Sequence, residues 1–108
     1  MKVSTVNNIN CVIGQNAKEN WGILANAQKN HLFFHLSSFP SGYVIAECEF
    51  IPDIDTIETI ATLCKTNTKY RNLKNIKVDY TRCSNLTKGS IVGEVIYTSN
   101  RQVFKIAV

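Results

Sequence analysis

The stretch His31-Leu-Phe-Phe-His35-Leu-Ser-Ser-Phe-Pro40-Ser-Gly-Tyr-Val-Ile45 decides the fold. Apolar and aromatic residues fill both ends and a Ser/Pro/Gly turn separates them, the pattern of strand, loop, strand. Alternation puts Leu32, Phe34 and Leu36 on one side of a sheet and His31, Phe33 and His35 on the other. The first set is an ordinary core face. The second, two imidazoles around one aromatic ring, suits a face that is partly covered or used. Pro40 cannot donate a ladder hydrogen bond and Gly42 accepts backbone angles other residues avoid, so the chain reverses over Phe39 to Gly42. Tyr43 opens the second arm at the His35 end, and a polar cluster of His35, Ser41 and Tyr43 is expected there.

Toward the N-terminus, Lys2–Val6 and Ile9–Ile13 are short β-branched runs flanking Asn7-Asn8. Asn tolerates the left-handed conformation of a two-residue loop, so these runs predict a β-hairpin. Asn16 with Glu19 three residues on has capping-box spacing. It predicts a helix over Ala17–Gln28, with Ala17, Trp21, Leu24 and Ala25 at helical intervals and Trp21 packed on the sheet. Toward the C-terminus, the second arm of the central hairpin is expected to continue through Ala46, Cys48 and Phe50 until Pro52. Asp55 and Glu58 repeat the capping spacing, and Ile57, Ile60, Ala61 and Cys64 form a buried helical stripe, predicting a helix from about Thr56 to Lys65 or a turn beyond. Ile76, Val78 and Tyr80 alternate with polar residues as a strand does. After a turn at Gly89–Gly93, Val92–Thr98 and Val103–Val108 are expected to close the domain as a hairpin. The order β-β-α-β-β-α-β-β-β predicts a single α+β domain, a mostly antiparallel β-sheet with two helices packed on it.

A chain of 108 residues holds one domain and not two. No apolar run approaches the roughly 18 residues of a membrane span, so no membrane partner is expected. The N-terminal residues lack the apolar core of a signal peptide, which predicts a cytoplasmic or nuclear address, cytoplasmic by preference. Cys11, Cys48, Cys64 and Cys83 stand far apart with no C-x-x-C, arguing against a zinc site or a disulfide framework. Cys48 and Cys64 fall in apolar patterns and are expected to act as small buried hydrophobes.

Charge is divided unevenly. Residues 1–58 carry three lysines against six acids, a net −3, and residues 59–108 carry nine Lys or Arg against Asp79 and Glu94, a net +7. The excess points to an anionic partner for the second half. Lys65, Lys69, Arg71, Lys74, Lys77, Arg82 and Lys88 form the basic run, opposed only by Asp79. Such cations bind phosphates by releasing counterions, and the interleaved Tyr70 and Tyr80 could stack on unpaired bases. His31 and His35 have i, i+4 spacing, but on a strand they stand roughly 13 Å apart, so no metal site is expected. Asp79 has no second carboxylate or nucleophile–base pair at useful spacing, and the glycines are too scattered for a phosphate-cradling loop. An enzyme would have to use His35 and Tyr43 as acid and base. A non-enzymatic module without cofactor is expected instead.

Several segments fall in an order that resembles a known family. They are Gly14-Gln-Asn16-Ala-Lys-Glu19-Asn20, Leu32-Phe-Phe-His35-Leu, Pro40-Ser-Gly-Tyr-Val-Ile45, Val78-Asp-Tyr-Thr81, Asn85-Leu-Thr-Lys88 and Gly93-Glu-Val-Ile96. From about Gly14 onward the chain resembles the NFACT-R domain (DUF814), most nearly its short stand-alone eukaryotic-type members. Tyr43 stands where the family usually has His, Phe33 where it often has Trp, and His31 in place of an acidic residue. The resemblance implies RNA binding linked to translation or ribosome-associated quality control, with tRNA or rRNA as partner and the ribosome beyond it. The expected RNA-binding residues are Asn16, Asn20, His35, Ser41, Tyr43, Lys65, Lys69, Arg71, Lys74, Lys77, Arg82 and Lys88. The alternative is a protein-interaction module that docks on a ribosomal or other partner protein.

Overall fold

A computed structural model describes all 108 residues. In chain order its elements are β1 (Lys2–Val6), β2 (Ile9–Ile13), α1 (Ala17–Asn26), β3 (Leu32–Leu36), β4 (Val44–Ala46) and α2 (Ile54–Thr66). They continue with β5 (Lys77–Arg82), β6 (Leu86–Lys88), β7 (Val95–Tyr97) and β8 (Phe104–Ala107). The α+β architecture read from the sequence is the one observed, but it has eight strands where the sequence order has seven. The unexpected one is β6, a three-residue strand that survives only as the partner of β7. Asn7 and Asn8 turn the first hairpin at φ of 48° and 67°, the left-handed geometry expected of them. The central hairpin pairs Leu32 with Ala46 and Phe34 with Val44. Six strands form one antiparallel sheet in the order β1-β2-β4-β3-β5-β8, and β6 and β7 make a separate two-stranded ribbon.

Both faces of the sheet are covered. On one, Ile57, Ile60, Ala61 and Cys64 of α2 pack against Leu32, Phe34, Leu36, Val44 and Val78. On the other, Ile23 of α1 and Leu86, Val95 and Tyr97 of the ribbon close over Phe33, Tyr43 and Ile45. Phe33 and Phe34, adjacent in sequence, are thus both fully buried on opposite sides. Each phenyl ring removed from water contributes roughly 2–3 kcal/mol. The mixed face of β3 is a second core.

Four expectations are corrected. Helix α2 starts two residues early, because Asp53, held extended after Pro52, accepts the Thr56 N–H at 2.9 Å and caps the helix in place of Asp55. Helix α1 stops at Asn26, and it buries Asn20 and Ile23 while Ala17 and Ala25 stay exposed. Its Trp21 meets the ribbon side, where the indole N–H donates to the Glu94 carbonyl at 3.0 Å. Strand β4 ends at Ala46, leaving Phe50 81% exposed. Finally, the last two strands do not pair with each other: β7 joins β6 and β8 joins β5. Asn85 is the cause. Its side chain accepts the Ser99 N–H and donates to the Ser99 carbonyl, while Thr81 Oγ donates to the Gln102 carbonyl, and these bonds steer the connection away from a hairpin. All four cysteines are free; Cys64 lies in the core and Cys48 is half-buried.

Candidate nucleic-acid interface

The segment between α2 and β5 holds most of the basic run. Lys65 Nζ donates to the Leu73 carbonyl at 2.8 Å and Thr68 Oγ to the Lys65 carbonyl at 2.7 Å, which folds the segment back on the end of the helix. Phe39, from the turn of the central hairpin, anchors it by packing against Tyr70 with ring centroids 4.4 Å apart. Lys69 Nζ sits 5.5 Å from the Tyr70 ring centre, and Arg71 and Lys74 are exposed. Lys77 lines a cavity with Ser38 and Phe39, on the same end of the sheet. From Lys65 to Lys77 the chain carries five cations and no acid, and neither of the molecule's two ion pairs involves any of them. Their positive charge is uncompensated at close range.

Beside this segment lie two cavities that share Ser41 and Gly42. One, about 380 Å³, is walled by Pro40, Asn67, Thr68, Lys69 and Tyr70. The other, about 240 Å³, is walled by Gln15, Asn16, Ala17, Asn20, Val92 and Gly93. The close packing here depends on glycine: a Cβ on Gly42 would stand 1.8 Å from the Gly14 carbonyl oxygen. Gly93, at φ +90°, occupies the turn from Ile91 to Glu94, where a Cβ would press on Ala17 at 2.7 Å. Asn16 caps α1 by accepting the Glu19 N–H at 2.9 Å, as its spacing predicts. Glu19 answers by accepting from the Gln15 N–H at 3.1 Å and the terminal amino group of Met1 at 2.8 Å.

Of the twelve expected contact residues, the structure therefore brings Asn16, Asn20, Ser41, Lys65, Lys69, Arg71, Lys74 and Lys77 to one end. His35 and Tyr43 are placed behind that surface. Tyr43 is 2% exposed and its hydroxyl donates to the Gly93 carbonyl, so it holds the 91–94 turn and presents no ring to a ligand. Burial raises its pKa to about 12, with the Glu94 carboxylate adding to the effect. His35 is half-buried, stacked on Phe33 at 6.1 Å and edge-on to Tyr43 at 5.7 Å. Its desolvation lowers the imidazole pKa and outweighs the opposing effects of Leu36, the Asp79 charge and Ser41. Arg82 and Lys88 lie elsewhere. The Arg82 guanidinium donates to the Asn30 carbonyl at 2.9 Å beside Arg101 and Phe104, and Lys88 covers the Trp21 ring at 5.0 Å.

A buried polar cluster that sequence reading did not single out surrounds Asp79. Ser37 Oγ and Lys105 Nζ donate to its Oδ1, and Tyr97 OH donates to its Oδ2 at 3.0 Å. Burial opposes ionisation of Asp79, but the bonds from Lys105, Ser37 and Tyr97 outweigh it and its pKa falls below the usual value. Tyr97 is pushed up by burial and by that same carboxylate. The only sequence signal was the lone acid in a basic region.

No family model matches the chain, and neither does any curated protein. Among solved structures, the C-terminal part of the fibronectin/fibrinogen-binding protein from Streptococcus suis superimposes with a TM-score of 0.88 at 22% identity. The match covers 99% of this chain and 44% of that one, so the present chain spans less than half of that structure's length. What the two share is the fold.

Proposed function

We propose that the protein is a non-enzymatic RNA-binding module whose landing surface is the Lys65–Lys77 segment and the Ser41–Gly42 turn beside it. The observation that carries this reading is the run of five cations with no acid among them and no ion-pair partner. A cation paired with a carboxylate gives little to a phosphate; these have no such partner. Lys69 and Tyr70 wall a concave groove, giving charge and an aromatic edge at one place. The likeness of the sequence to NFACT-R supports tRNA or rRNA as the partner and a role in translation or ribosome-associated quality control.

Charge reversal at Lys69, Arg71 and Lys74 together is expected to weaken RNA binding across sequences. It should also flatten the plot of log affinity against log salt by about three contacts' worth. Fluorescence anisotropy with tRNA and rRNA fragments at two or more salt concentrations measures both. Unchanged affinity in the folded variant would remove the segment from the interface.

A second reading has an observation of its own. Phe50, Ile51, Ile54 and Phe104 are each more than half exposed, and Ile51 and Phe104 border a cavity of about 260 Å³ with Arg82 and Arg101. Apolar exposure of this kind suits docking on a protein partner. Association with ribosomes that survives nuclease treatment and is lost on Phe104→Glu would favour it.

A further inference from the structure

Asn20 is 7% exposed, one turn into α1, and only half of its amide is used. Its Oδ1 accepts the Tyr43 N–H at 3.1 Å. Of the two side-chain amide atoms only the oxygen can accept from an N–H, so that bond fixes the other atom as Nδ2, a donor. Nδ2 has no partner in the protein. Nor is it sealed away, since no fully buried side-chain nitrogen or oxygen in the molecule lacks a partner. The opening it reaches is the 240 Å³ cavity that Asn20 lines.

The backbone around this cavity supplies further unpaired donors. The N–H groups of Ala17, Gly42 and Gly93 bond to nothing. Three acceptors beside them are occupied: the Gly93 carbonyl takes the Tyr43 hydroxyl, the Gly42 carbonyl takes the Ser41 hydroxyl, and Ser41 Oγ takes the Leu36 N–H. Four free donors thus come from a helix start and two separate turns. The ten-residue α1 adds the positive end of its dipole. Of the nearby carboxylates, Glu19 is turned to Gln15 and the Met1 amino group, and Glu94 accepts the Ser90 N–H.

We propose that this cavity binds one phosphate oxyanion. Donors converging from several directions suit a tetrahedral oxyanion better than a planar carboxylate, and Lys69 stands at the adjoining cavity that shares Ser41 and Gly42. The site deepens the RNA-binding reading and rests on it for the source of the phosphate, a strand continuing from the basic segment. Inorganic phosphate shares the chemistry.

The test is an NMR titration of the ¹⁵N-labelled full chain. The ligands are inorganic phosphate and one RNA oligonucleotide carrying either a 5′-phosphate or a 5′-hydroxyl. The Asn20 side-chain amide and the Ala17, Gly42 and Gly93 backbone amides should shift together and saturate. Asn20→Asp keeps the acceptor for Tyr43 while replacing the free donor with an anionic oxygen, and should weaken the shifts at least about tenfold. Gln15→Glu places a charge at the exposed rim without touching the core, and carries the test if Asn20→Asp does not fold. Saturation by inorganic phosphate and 5′-phosphorylated RNA alone supports the site with a terminal phosphate. Equal shifts with both RNAs support it with an internal diester. Absence of shifts with every ligand, or shifts that neither substitution weakens, overturns it. Phosphate shifts that persist in the Lys69/Arg71/Lys74 reversal variant uphold the cavity even if the basic segment proves irrelevant to RNA.

Discussion

Two buried polar side chains, Asp79 and Asn20, sit in opposite states of satisfaction. Asp79 on β5 receives Ser37, Tyr97 and Lys105, so both of its oxygens are committed within the protein. Asn20 on α1 has a bonded oxygen and a nitrogen that bonds to nothing. Burial is nearly the same, at 6% and 7% exposure. The difference teaches where to look for function: a fully bonded buried group serves the fold, and a half-bonded one facing an opening retains capacity for a ligand.

Removing the committed group should do the most damage. Asp79→Ala strands the Tyr97 and Ser37 hydroxyls in a partly buried pocket, and is expected to lower stability by about 2–3 kcal/mol in urea unfolding. A loss below about 0.5 kcal/mol would mean that water replaces the carboxylate and that the contrast with Asn20 is empty. Tyr43→Phe is a smaller break. It removes the bond that ties the start of the second arm, just before β4, to the 91–94 turn and should cost about 1 kcal/mol, with faster hydrogen exchange confined to the β6–β7 ribbon.

The smallest effect is a pH dependence. His35 titrates in the folded state below its ordinary value near 6.5, because burial disfavours the imidazolium. The unfolded chain then binds the proton more readily, so this contribution to stability is complete above about pH 6.5 and is lost as pH falls through the folded value. Denaturation midpoints should decline between pH 7 and pH 5 in the native protein, and less steeply in His35→Phe. Asp79, also depressed, loses its contribution only at lower pH, as the carboxylate becomes protonated below about pH 4.

Much of this was legible in the sequence because the governing interactions are local. The Asn7-Asn8 turn and the Asn16 cap on Glu19 N–H involve neighbours within a few residues, and both form as their spacing predicts. The alternation along β3 separated Leu32, Phe34 and Leu36 from Phe33 before any partner was known. Reading failed where two local solutions compete, as with Asp53 and Asp55 at the start of α2, or where a distant group arbitrates. Nothing near Val103 announces that Asn85 will divert the strand that follows it.

The residues alone settled the inward stripe of α2 and the core face of β3, where the helices begin to within a turn, and that one segment is positive without opposing acid. Those properties belong to short stretches of chain, fixed by backbone geometry and charge count. Only the folded molecule decided that Tyr43 is an internal strut and that Asn20 keeps a free donor. The bonds responsible join residues 50 and 23 positions apart. At such separations the partner is selected by how sheet, helix and ribbon pack together, and no local pattern encodes that choice.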